Sequence, residues 1–288
     1  MSEHVTVGTD GSRPATIAVK WAAEDATRRG AALRIVHVFE PWGHDLPYQP
    51  VPEAPEGIAR YSEGILDAAA EVARAQAPAT EVTTALLSGR IIGMLIKESD
   101  DALQIVVGSR GVGGFAGMLM GSVSIGLAGH AACPVVVVRG GQDTVQGQIV
   151  VGFDGAAHSE GALEYAFAEA ERRTARVQVV YAWQAAILSP YASGYSAYFD
   201  DLFAAGKHTV EERLRAWNDR YPRVPTIITA VCDHPVAAIC DASTQADLVV
   251  VGSRDLGGLG ATALGSVSRG VLHHAHCPVA VVPKPQRQ

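Results

Sequence analysis

Short apolar runs alternate along the chain with stretches whose apolar residues recur at helical spacing. Val5–Thr9 reads as a strand, and a helix is expected from about Ser12 to Arg29. Ser12 suits its N-cap, Pro14 its first turn and Gly30 its stop. Ala18, Trp21, Ala22 and Ala26 form its expected buried stripe. A second strand follows at Leu33–Phe39, then a proline-rich segment from Pro41 to Pro55 and a helix around Ile58–Ala77. Val82–Leu87, Ile105–Val107 and Val135–Val138 read as further strands, separated by helices at Ile91–Ser99 and Ser122–Ala131. Ile105-Val-Val and Val135-Val-Val-Val are continuously apolar, which marks strands buried on both faces of a parallel sheet. Alternating strands and helices then predict a doubly wound α/β layer structure.

The pattern occurs twice. Val7-Gly-Thr-Asp10-Gly returns as Val151-Gly-Phe-Asp154-Gly, Gly121-Ser-Val-Ser124 as Gly265-Ser-Val-Ser268, and Cys133-Pro-Val as Cys277-Pro-Val, all at an offset of 144. Between 103–138 and 247–282, 19 of 36 positions are identical, so a whole domain is duplicated. The expected domains are 1–140 and 147–288, joined by the polar stretch Gly140 to Gly147.

Composition narrows the functional classes. The 288 residues are 48% apolar with a formal net charge of -7, which excludes disorder and argues against a surface built for nucleic-acid phosphates. No apolar run is long enough to cross a membrane, and the start Met-Ser-Glu-His-Val lacks the character of a signal peptide. Four cysteines without a CxxC pair suit reduced thiols, so a cytoplasmic location is expected.

In an open parallel sheet, ligands bind beyond the carboxyl ends of strands where the strand order reverses. Two distant segments are expected there: Gly8 and Asp10 after the first strand, and the glycine-rich run from Gly108 to Gly117 that leads to Gly121-Ser122 at a helix start. Such a loop exposes backbone N–H groups, and the helix start adds unpaired donors and a positive dipole end, a setting suited to phosphate. Ser122 and Ser124 can add hydroxyl donors. Asp10 can accept hydrogen bonds from two ribose hydroxyls, or cap the following helix as an Asx turn. Its recurrence as Asp154 favours ligand contact.

Gly108-x2-Gly111-x9-Gly121-Ser122 resembles the ATP-binding signature of the universal stress protein family, and the early Val-Gly-x-Asp-Gly, the His37-Val38 strand end and Cys133-Pro-Val-Val-Val fit as well. The resemblance spans both halves. It implies two tandem, Rossmann-like five-stranded parallel sheets of order 3-2-1-4-5, an adenine nucleotide alpha-hydrolase-like fold. ATP would lie across the tips of strands one and four. Asp10 would then hold ribose and the backbone at Val38 would contact adenine. Gly108, Ser109, Arg110, Gly111, Gly113 and Gly114, with Gly121, Ser122, Val123 and Ser124, would cradle the phosphates. The counterparts in the second half are Gly152, Asp154, Ala182, Gly252, Ser253, Arg254, Asp255, Gly257, Gly258, Gly265, Ser266, Val267 and Ser268. Asp255 stands where the first half has Gly111. A negative charge there repels phosphate unless a cation such as Mg²⁺ intervenes, so weaker ATP binding is expected in the second half. The tandem arrangement implies an intramolecular pseudo-dimer of the halves, and the resemblance admits a homodimer.

Other motifs carry less. Gly111-x-Gly113-x-x-Ala116 matches a dinucleotide fingerprint in form, but the helix opens only after Gly121 and Val135–Val138 stands where the acid should be. There is no Gly-x4-Gly-Lys-Ser/Thr, which excludes a P-loop. His273, His274 and His276 read as surface residues near a helix end rather than metal ligands, and Cys133 and Cys277 as small buried residues. The proline-rich 41–55 stretch, and its counterpart with Tyr191, Tyr195, Tyr198 and Phe199, leave open a lid, an interface or a divergent surface loop. Three functions remain: an ATP-binding regulator of stress response or growth, a slow ATPase or phosphotransferase with Asp10 or Asp255 placing Mg²⁺, and a binder of AMP or a cyclic nucleotide. The phosphate loop supplies no evident general base or catalytic lysine, which favours binding over turnover.

Overall fold

A computed structural model describes residues 3–40, 56–111, 120–140, 145–156, 159–183, 196–253 and 264–284. The chain forms two compact units, Met1–Gly141 and Gln142–Gln288. The first runs β1 (His4–Gly8), α1 (Arg13–Arg29), β2 (Ala32–Phe39), α2 (Glu56–Gln76), β3 (Val82–Ser88), α3 (Ile91–Glu98), β4 (Gln104–Gly108), α4 (Ser122–His130) and β5 (Val135–Val138). Its strands are parallel in the order β3-β2-β1-β4-β5, with Val7 opposite Ile35 on one side and Val106 on the other. The order reverses at β1, so the carboxyl ends of β1 and β4 flank the switch point.

The second unit repeats the plan with β6 (Gln148–Gly152), α5 (Glu160–Arg173), β7 (Arg176–Ala182), α6 (Ser196–Arg220), β8 (Thr226–Val231), α7 (Pro235–Ser243), β9 (Leu248–Gly252), α8 (Ser266–His274) and β10 (Val279–Val282). Its parallel order is β8-β7-β6-β9-β10. Tyr198 and Phe199 fall within α6; Tyr191, Tyr195 and the 41–55 segment lie outside the described residues.

Continuous apolar strands form each core: every residue of β4 and β5 is buried, as is the whole of β10. On α1, Ser12 Oγ accepts from the Ala15 N–H at 3.3 Å and Gly30 closes the helix at φ 65, so both ends match the residues expected there. The buried face differs from the expected stripe at one residue. Ala15, Ala18, Val19, Ala22, Ala23 and Ala26 are buried, whereas Trp21 is half-buried. A face of small residues lets the helix lie close to the sheet, and an indole does not fit beneath it.

The same face carries a charge. Asp25 is wholly buried and accepts from Arg29 Nε at 2.6 Å and Gln104 Nε2 at 2.7 Å, while Arg29 also donates to Gln104 Oε1 at 2.8 Å. The second unit buries Glu169 at the corresponding place on α5, held by Arg172 at 2.7 Å and Arg173 at 3.1 Å.

Candidate nucleotide site

Each unit brings an acidic side chain and a helix start to the carboxyl end of its sheet. In the first unit the Thr9 N–H donates to Val36 O at 2.9 Å, and His37 Nδ1 lies 2.8 Å from Thr9 O. These contacts fix the backbone just before Asp10. Asp10 Oδ1 accepts the Ser12 N–H at 3.0 Å, an Asx turn that leads into α1. The carboxylate therefore shapes the turn while standing at the switch point.

Glycine is needed at Gly108 because α1 comes so near. A Cβ there would lie 2.8 to 3.0 Å from backbone atoms of Pro14 and Ala15. Two bonds then clamp the start of α4 against the tip of β4: the Gly121 N–H donates to Ser109 O at 2.8 Å and Ser124 Oγ to Gly108 O at 2.8 Å. Ser124 is buried, so its hydroxyl proton serves this clamp. The N-cap of α4 is Gly121 and provides no capping side chain, which leaves the N–H groups of the first turn directed at the strand tips. Gly111 borders Asp10, Arg110 is exposed, Val38 is half-buried near the end of β2, and Gly8 ends β1.

The second unit repeats the clamp. Ser268 Oγ donates to Gly252 O at 2.5 Å, and the Gly265 N–H to Ser253 O at 2.9 Å. Here a cavity of about 240 Å³ opens between the strand tips and α8. Gly152, Asp154, Ala182, Gly252, Gly265, Val267 and Ser268, all singled out from the sequence, line it. Phe153, Ser159, Val180, Pro235, Ile239 and Val251 complete the wall. Ser266 begins α8 and Ser253 follows β9. Gly113, Gly114, Arg254, Asp255, Gly257 and Gly258 lie outside the described residues.

Sequence reasoning missed the α7 wall of Pro235 and Ile239, which carries no motif, and Ser159, a serine five residues after Asp154 that a comparison of the two helix starts would have exposed. Asp154 Oδ1 accepts the Ala156 N–H at 3.0 Å and the Ser159 hydroxyl at 2.7 Å. The Tyr181 phenol is pushed up in pKa, first by burial and then by the negative charge of Asp154. Among the described residues no cluster of three or more His, Cys, Asp or Glu could hold a metal, and no helix is long and apolar enough to cross a membrane.

The apolar walls Val180, Ala182, Ile239 and Val251 fit a planar base, the carboxylate fits a sugar diol, and the α8 start fits an anion. The class so defined is a tandem doubly wound α/β protein with a polar switch-point site in each unit. The chain belongs to the universal stress protein family, whose model matches residues 1–139 and 147–283. Universal stress protein Rv2005c of Mycobacterium tuberculosis is 36% identical over 287 residues, 96% of each chain. The crystal structure of a universal stress protein from Archaeoglobus fulgidus DSM 4304 shares the fold at a TM-score of 0.73 and 19% identity, covering 100% of this chain and 98% of that one. A universal stress protein solved in complex with cAMP matches 48% of this chain, and 97% of its own, at 29% identity and a TM-score of 0.38.

Proposed function

We propose that this chain is a nucleotide-dependent regulator of stress response or growth that binds adenosine nucleotides, ATP foremost, at the carboxyl ends of both sheets. The observation that carries the reading is the second unit's cavity, where Asp154, apolar walls and the start of α8 meet. In this reading Asp10 and Asp154 accept from ribose, Val38 and Ala182 border the base, and the first turns of α4 and α8 face the phosphates. Mg²⁺ enters with the phosphates. The role is binding, since the helix starts offer backbone donors and the reading assigns no general base to them.

Calorimetry with Mg-ATP, AMP and cAMP on the full chain tests it. Two sites are expected for ATP, one removed by Asp10→Ala and the other by Asp154→Ala. Absence of heat with all three nucleotides overturns the reading. Binding of AMP or cAMP in preference to ATP keeps the site and replaces the ligand. ADP release faster than about 1 per second, abolished by Asp10→Ala, would make the protein an enzyme.

A further inference from the structure

The two units use a serine at the helix start differently. In the first, Ser12 is the N-cap of α1 and its Oγ accepts the Ala15 N–H at 3.3 Å, as capping requires. In the second, Ser159 is the N-cap of α5 but makes no capping bond. Its hydroxyl lies 2.7 Å from Asp154 Oδ1 and 2.8 Å from Ala156 O. One proton serves two acceptors, and the charged carboxylate is the stronger. The residue at the corresponding place in the first unit is Ala15, whose methyl group offers Asp10 nothing comparable.

Ser159 has helical backbone geometry, φ -94 and ψ -2, and its N–H already bonds Ala156 O at 3.1 Å, so its hydroxyl is left for Asp154. Ser159 is 6% exposed and lines the same cavity as Asp154. With Oδ1 held by both the Ala156 N–H and the Ser159 hydroxyl, rotation of the carboxylate is restricted.

We infer that Ser159 is a positioning residue of the second site: it orients Asp154 toward the sugar and thereby sets discrimination for the ribose hydroxyls. The inference rests on the reading of Asp154 as the ribose acceptor. Ser159 need not touch the nucleotide; it acts through the carboxylate.

The test uses the full chain with Asp10→Ala silencing the first site, titrated with Mg-ATP and with Mg-2′,3′-dideoxy-ATP. With Ser159 intact, ATP binds at least about tenfold tighter than the dideoxy analogue, the scale of one charge-assisted hydrogen bond. Ser159→Ala narrows the ratio to about threefold or less and leaves dideoxy-ATP affinity unchanged. Ser159→Thr restores the ratio. Equal loss of affinity for both nucleotides, or an unchanged ratio, overturns the inference while the reading of the site stands. If the protein with Ser159 intact binds neither nucleotide, or binds both equally, the reading of Asp154 falls and the inference falls with it.

Discussion

Gly111 packs against Asp10 so closely that a Cβ on the glycine would run into Asp10 Oδ2. A side chain at residue 111 would thus have to displace the Asp10 carboxylate. Gly111→Ala is expected to weaken ATP binding at the first site about tenfold through this clash, and Gly111→Asp about a hundredfold or more by adding a like charge. Calorimetry in an Asp154→Ala background reads the first site alone. The second half carries Asp255 at this position in the sequence. The site that survives in Asp10→Ala is accordingly expected to bind ATP more weakly than the site that survives in Asp154→Ala, and equal affinities would refute the asymmetry.

The strands and helix ends were legible because each rests on a local rule. Val135–Val138 is a strand with the expected bounds, and Ser12 and Gly30 close α1 as their chemistry dictates. Much of the second unit's cavity was legible too, since the duplicated glycines, Asp154 and the α8 start mark strand tips in the sequence itself. What stayed hidden depends on partners distant in the chain. Asp25 looks like a surface residue until β4 brings Gln104 beneath it, and Ile239 is an ordinary apolar residue until α7 settles over the β6 tip. Ser159 was hidden for a different reason. The halves match in motif but place the serine differently: Ser12 has Ala156 as its counterpart, and Ser159 has Ala15.

The buried Asp25–Arg29–Gln104 cluster makes the first unit sensitive to loss of one partner. Arg29→Ala strips Asp25 of its nearer cation, leaving Arg28 Nε at 4.0 Å, and is expected to cost about 3 kcal/mol, because a buried carboxylate loses its close partner. Lys207→Ala is the control, since Lys207 and Glu211 form a solvent-exposed pair at 3.7 Å worth about 0.5 kcal/mol. Urea denaturation should separate the two variants clearly, and similar midpoints would show that the cluster is not the anchor of α1.

Thr174 ends α5 at φ 52, in the left-handed region where α1 uses Gly30. A β-branched residue is strained there, and glycine is not. Thr174→Gly should therefore stabilise the second unit by about 0.5 to 1 kcal/mol, the relieved strain exceeding the added backbone entropy of the unfolded chain. At this domain size the melting temperature should rise by about 2 to 4 °C in thermal unfolding followed by circular dichroism.

Cys133 and Cys232 should behave as different chemical species. Burial pushes the Cys133 thiol up to about 12 from the ordinary 9.0, and its Sγ faces Pro134 O at 3.7 Å, whereas Cys232 is exposed. Since the thiolate is the nucleophile, a disulfide-exchange reagent at pH 8 should titrate one fast equivalent in the native protein, and Cys232→Ser should remove it. Cys240 and Cys277 are buried and are expected to react only on unfolding. The same shift predicts a pH dependence of stability. Below 9.0 both the folded and unfolded chains hold the Cys133 proton, so its contribution is fully present. Between 9.0 and about 12 the unfolded chain releases the proton while the folded chain keeps it, and stability falls as pH rises. Urea midpoints measured at pH 8, 9.5 and 10.5 should therefore fall less steeply for Cys133→Ala than for the unmodified chain; parallel declines would mean that the thiol ionises as readily inside the fold as outside it.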